Sequence, residues 1–275
     1  MKFLGGIYEN KKIVVLASIC LICALSVVAV LEVFATDMPN SENKTWLGED
    51  KATVDAYNFP VSLDDKETWV EFAAMEITEK YRVCQIPKEK LNDISTQGLI
   101  ETCVSYPIFG NIFAFDSLEI GYDRLKENFD GFKALNERKD AGETFLKMYK
   151  DMDLDILIES DPYSTLRLTF FNFIISQDEI LDTMDEEMRA EFAKIVLEKI
   201  NLIGKKYSEQ FSIGGSIVLL DSILSKDNIS FESYAGSNKY VRKHLELCIQ
   251  SMQNEMFDMA EDCDQNPNNK YWIEE

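Results

Sequence analysis

The residues best suited to chemistry are a stripe of soft ligands, scattered carboxylates and one histidine. His244, Cys248, Met252, Met256, Met259 and Cys263 recur every three or four positions. Thiolate, thioether and imidazole suit a soft ion such as Cu(I). At about 100° per residue, however, a helical stripe through these positions centres near Leu245, Met252 and Cys263. His244 then sits nearly a quarter-turn away, and Leu245 and Ile249 share the face of the sulfurs. Methionine also fills irregular gaps in cores. The spacing therefore predicts a packing face, and no metal ligand or cofactor is assigned.

Catalytic constellations fare no better. With His244 the single histidine, a multi-histidine metal site is excluded, and any Ser-His or Cys-His pair must use that residue. Gly214-Gly215-Ser216 lacks the second half of a nucleophile elbow. Ser41 and Lys44 have the serine–lysine spacing of penicillin-binding enzymes without the companion motifs. Asp151, Asp153 and Asp155 are spaced like a calcium loop, yet an EF-hand needs Gly at its sixth place and Glu at its twelfth. Ile156 and Pro162 stand there, while Met152, Leu154 and Leu157 read as core. Glu101, Asp116 and Glu119 flank the aromatic stretch Tyr106 to Phe115 and are the first candidates for a glycosidase pair. Their competing reading is solvated helix surface. The aromatic stretch could line a groove for sugar rings or an apolar peptide, but it lacks flanking polar groups and reads as a buried connection. No catalytic residue is assigned.

Charge narrows the partners. Lys and Arg number 28 against 49 Asp and Glu, a formal net charge of −21. Such a chain repels phosphate backbones, so nucleic acid is not an expected partner. Six cysteines are present, with Cys20 and Cys23 in an apolar N-terminal segment. Cys84, Cys103, Cys248 and Cys263 could pair in three ways. A domain of this size folds without disulfides, and the first three fall on apolar helical faces, so buried free thiols are expected.

The elements that would position these groups begin with an address. Lys2, Lys11 and Lys12 precede an uncharged run from Ile13 to Leu31. As a helix the run is roughly 28 Å long, close to the hydrocarbon thickness of a bilayer. The lysines place the N-terminus in the cytoplasm and the remainder outside. Val33-Phe34-Ala35 also offers small residues at −3 and −1 of a cleavage site before Thr36. Two outcomes follow: a retained single-pass anchor, or secretion after cleavage at Ala35.

Residues 36–60 read as a polar tether, 61–265 as an all-helical extracytoplasmic domain and 266–275 as a polar tail. Trp69, Ala73, Ile77, Tyr81 and Cys84 predict one helix face, capped by Asp64 or Asp65 and closed before Pro87. Ser95 caps a second helix bearing Leu99, Ile100, Cys103 and Val104. Capping-box spacing links Asp140 with Glu143, Ser176 with Glu179, and Thr183 with Glu186. Met188, Phe192, Ile195, Val196 and Ile203 form a core stripe. Leu166 to Ile175 could be a strand, but helical neighbours favour a buried helix. A last helix runs from about Asn238 to Asp262. Asn43-Lys44-Thr45 and Asn228-Ile229-Ser230 match the glycosylation sequon, a pattern too common to weigh. The whole predicts roughly nine to eleven helices, in an irregular multi-helix bundle or helix-pair stack behind one membrane-inserting helix.

Cys84-Gln85-Ile86-Pro87, Ile94-Ser95-Thr96, Glu101-Thr102-Cys103-Val104-Ser105-Tyr106-Pro107 and Ile112-Phe113-Ala114-Phe115-Asp116 together carry a resemblance. From about Trp69 to Ile203 the chain resembles an uncharacterised family of exported helical proteins of anaerobic gut-type bacteria. The resemblance implies export and helices, and it brings no activity or site residue.

The function expected is a binding or scaffold module at the cell envelope, held by the membrane through residues 13–31 and facing an envelope protein or glycan. The alternative is an extracellular carboxylate-dependent glycan or peptidoglycan hydrolase. Protease added to intact cells should digest the body of the chain, and membrane fractionation should retain it. A soluble form beginning at Thr36 would show cleavage instead, and a protected cytosolic body would refute export.

Overall fold

The structure, a computed structural model, describes residues 55–61, 66–115, 117–160 and 163–250. The apolar run 13–31, Asp64, Asp65, Asp116, the stripe from Met252 to Cys263 and the tail 266–275 lie outside them. The described residues are all helical, with no strand among them. No helix among them is long and apolar enough to cross a membrane.

The helices are α1 (Lys66–Ala73), α2 (Ile77–Val83), α3 (Lys88–Asp93), α4 (Thr96–Val104), α5 (Leu118–Asn128), α6 (Asp130–Asn136) and α7 (Ala141–Asp151). There follow α8 (Leu154–Ser160), α9 (Ser164–Ile175), α10 (Asp178–Leu181), α11 (Glu186–Lys206), α12 (Gly214–Lys226) and α13 (Phe231–Ala235). A 3-10 turn, Phe109–Ala114, precedes α5. Residues 239–250 form α14.

The centre is α9. Leu168, Phe170, Phe171, Ile174 and Ile175 are all buried, and Leu166 and Phe173 on another side of the helix are packed half-buried against the core, so apolar side chains cover well over half of its circumference. Such a helix is stable only when enclosed. It packs against α4, α8, α10 and α12, and α12 in turn packs against α11 and α13. The ambiguous segment Leu166 to Ile175 is thus a buried helix, as its neighbours predicted. The longest helix, α11, is one-faced: Phe192, Ala193, Val196, Ile200 and Ile203 face inward.

Several local readings needed correction. The face from Trp69 to Cys84 is not one helix: the chain turns at Ala74 and Met75, and Ala73 and Ile77 are exposed. None of the three capping boxes forms as spaced. Asp140 precedes α7 without a side-chain cap and instead accepts from Thr96 Oγ1 at 2.8 Å. Ser176 ends α9, donating to the Phe173 carbonyl at 2.7 Å. Thr183 donates to the Ile180 carbonyl and accepts from the Gly142 amide, while Asp185 caps α11 through the Met188 amide at 2.8 Å. Each serine, threonine or aspartate serves a helix end, but a neighbouring one. Ser95 caps α4 as expected, accepting from the Gly98 amide at 3.0 Å.

Two connections fix the corners. Asn228 has φ 57°, a left-handed conformation that asparagine tolerates better than most residues. The Ile229 amide reaches back to the Leu224 carbonyl at 2.9 Å, closing α12 with the paired bonds of a Schellman turn. Beside it, Arg189 grips Asp227 through two guanidinium nitrogens, with Nε 3.0 Å from Oδ2, and also donates to the Met184 carbonyl. This clamp joins the start of α11 to the end of α12, and it holds the Asp227 carboxyl below its usual range.

Gly121 of α5 lies directly on the 3-10 turn. A Cβ there would stand 2.7 Å from Ile112 Cα and closer still to the Ile112 carbonyl oxygen. Helix propensity favours alanine by about 1 kcal/mol, but the collision is with backbone and outweighs it. Gly121→Ala should lower stability by about 1–3 kcal/mol in denaturant unfolding. A stabilised variant would refute this account of the turn.

Candidate functional site

The carboxylate candidates separate. Glu101 is buried on α4, whereas Glu119 is exposed on the first turn of α5. Asp116 lies outside the described residues. The burial of Glu101 runs against its reading as solvated surface, and that of Glu119 agrees with it. Most of the aromatic stretch between them is core, with Phe113 half-buried and Phe115 exposed at its end. Phe109 stacks on Phe170 of α9 at 4.1 Å between ring centroids and meets Phe132 edge-on at 5.5 Å. Tyr106 stacks on Phe129 at 4.0 Å.

The acidic run is a helix boundary. Asp153 Oδ1 accepts from the Asp155 amide at 2.8 Å and the Ile156 amide at 3.2 Å, starting α8. Met152, Leu154 and Leu157 are buried, as the spacing required.

The last helix keeps half of its stripe within the described residues. Cys248 is buried, but Ile249, expected on the same face, is 48% exposed. His244 leans over the start of α12, where a Cβ on Gly214 would stand 3.2 Å from its Nε2. That nitrogen is buried without a hydrogen-bond partner among the described residues. Burial lowers the imidazole pKa, so the ring is neutral at pH 7. Among the described residues no group of three His, Cys, Asp or Glu is arranged to hold a metal ion.

The thiols are free and buried at Cys84, Cys103 and Cys248. Burial pushes Cys84 up to about 12 and Cys103 well above the ordinary thiol value. Neither forms a thiolate near neutrality, which is the species that attacks or ligates.

The sequence did not single out Lys199. It stands on the inner face of α11, between Val196 and Ile203, and is 8% exposed. Its ammonium donates to the Met152 carbonyl at 2.8 Å, at the C-terminus of α7, and lies 5.5 Å from the Tyr149 ring centroid. Burial lowers its pKa to about 8, against the opposing pull of Asp153 and Asp151. A lysine poised near neutrality is a candidate base or imine-forming amine. Here its proton is committed to a helix end, where a cation complements the dipole. The legible sign was a lysine in phase with an apolar stripe.

A second buried polar pair joins two helices. Asn172 of α9 donates from Nδ2 to Ser216 Oγ of α12 at 3.2 Å. Asn172 and Ser216 are 2% and 0% exposed. Gly214-Gly215-Ser216 is therefore a packing seam rather than a nucleophile turn.

One further constellation lies where the tether was expected to end. Asp55 to Val61 lies outside any helix and docks on α4. Asp55 Oδ2 accepts from the Ser95 amide at 2.7 Å, and its Oδ1 accepts from Ser95 Oγ. The Tyr57 amide donates to Thr102 Oγ1 at 2.9 Å. Phe59 meets Tyr106 and Phe129 at 5.7 and 6.0 Å, and Val61 is buried. The signal was period-two alternation of Asp55, Tyr57, Phe59 and Val61, with Pro60 holding the preceding residue extended.

No protein-family model, curated protein or solved structure matches the chain.

Lys199 yields a signed test. Its folded pKa is depressed below the unfolded value, so the folded state binds fewer protons between about pH 8 and 10.5 and stability rises with pH there. The shift corresponds to about 3 kcal/mol. Across that window wild type should gain about this much relative to Lys199→Met in denaturant unfolding. Parallel pH profiles would refute a buried, charged Lys199.

Proposed function

We propose that the chain is a non-enzymatic interaction or scaffold module of the cell envelope, exported by residues 13–31 and held near the membrane by the segment that follows. The body is an irregular multi-helix bundle. One observation carries the reading: several of the polar side chains inside the body join its helices. Lys199 closes α7, Asn172 and Ser216 join α9 to α12, and Arg189 with Asp227 joins α11 to α12. The imidazole rests on Gly214. What the body offers outward is its surface, and a net charge of −21 favours partners with basic groups.

The hydrolase reading centres on Glu101, Asp116 and Glu119. Buried Glu101 and exposed Glu119 stand in different environments, a difference that a general acid and its partner would share, so the two readings need an experiment. Purified protein incubated with cell-wall glycan should release no reducing ends, while cross-linking on intact cells should trap it with an envelope protein. Reducing ends released by wild type and lost in Glu101→Gln would overturn the proposal.

A further inference from the structure

The segment Asp55 to Val61 makes contacts of the kind a protein makes with a bound peptide. A carboxylate sits on a helix N-terminus, a main-chain amide finds a side-chain acceptor, and alternate side chains enter apolar sockets. The carboxylate binds at α4, where Ser95 offers both its amide and its hydroxyl. Lys90 of α3 adds favourable charge. Further along, Phe59 rests edge-on against the Tyr106–Phe129 stack. Of the residues between, Asn58 and Pro60 are exposed.

The fit depends on a missing side chain. Gly98 is the third residue of α4, and a Cβ there would overlap Asp55 Oδ1 and stand 3.1 Å from the Ala56 amide nitrogen. Glycine is a poor helix former, and alanine would serve α4 better by about 1 kcal/mol. The bare position is explained by the segment lying across it.

We infer that residues 55–61 are a tethered peptide ligand of a groove on α4, and that they detach as a unit while the helical body stays folded. The groove is a binding site for an extended segment led by a carboxylate and followed at every second position by aromatic or aliphatic side chains. In this chain its occupant is the stretch joining the N-terminal segment to the body. Among the described residues, hydrogen bonds to Ser95 and Thr102 and ring contacts to Tyr106 and Phe129 hold the segment on the outside of α4, and elements at the surface open at lower free energy than an enclosed core. The inference stands apart from the proposed function, since the groove would exist in an enzyme as well.

Amide hydrogen exchange on the full chain tests it. The Ser95 amide reports from the groove and the Tyr57 amide from the strap, because each donates across the contact. In wild type both should exchange together and faster than the amides of Phe171 in α9 and Leu220 in α12. Gly98→Ala should speed both by about ten-fold, the equivalent of one lost helix cap, and leave α9 and α12 unchanged. Asp55→Asn, which removes the charge without adding bulk, should speed them in the same direction and serves if Gly98→Ala fails to fold. Exchange of Tyr57 and Ser95 at the rate of the α9 core would show that the strap unfolds only with the body, and would overturn the inference. So would unchanged exchange in both variants.

Discussion

The need to enclose α9 governs this structure. Its buried Phe170, Phe171, Ile174 and Ile175, with half-buried Leu166 and Phe173, leave only the narrow polar strip of Thr165, Thr169 and Asn172. Other elements must therefore converge on it, and α4, α8, α10 and α12 do so. Burying each such side chain contributes about 1.5–3 kcal/mol, which makes enclosure the largest favourable term at the centre. The aromatic stretch that might have formed a groove is recruited to the same end, with Phe109 laid flat on Phe170. An apolar helix at the centre leaves little choice about what surrounds it.

Polar side chains inside such a core must find partners, because an unpaired buried donor or acceptor costs about 1–3 kcal/mol. This accounts for the placement of several polar side chains in the interior. Ser216, Asn172 and Lys199 each settle on a helix end or a facing helix. Helix ends carry unsatisfied groups by construction, and a fold of many short helices has many ends. Serine, threonine, asparagine and aspartate at the boundaries serve those ends, as Ser95, Asp153 and Asp185 do.

The same point marks what could be read from the sequence. Apolar periodicity located α4 and α11 with their inner faces, since burial imposes the pattern directly, whereas α9 was assigned as a helix from its helical neighbours. Ser95 was legible because its role is local. The pairs Asp140 with Glu143 and Thr183 with Glu186 were misread because their oxygens bond across the fold, Asp140 to Thr96 and Thr183 to Gly142. Spacing along one helix cannot express a partner more than forty residues away. Lys199 escaped for a related reason: a lysine on an apolar stripe reads as an interruption until the carbonyl it caps is brought to it. Between Trp69 and Cys84 the apolar rhythm continues through a turn, so periodicity overstated the helix.

The docked segment at residues 55–61 also changes where the body begins. By composition, the boundary between tether and domain falls near residue 61; by packing, the described body already includes Asp55. A fragment started at Val61 would lack both the carboxylate over α4 and the ring beside Tyr106 and Phe129. It would present newly bared aromatic surface to its neighbours, the kind of patch through which otherwise soluble domains stick to one another. Where the polypeptide is cut thus decides whether an isolated body stays dispersed, and six residues that look like linker belong with the part they seem merely to precede.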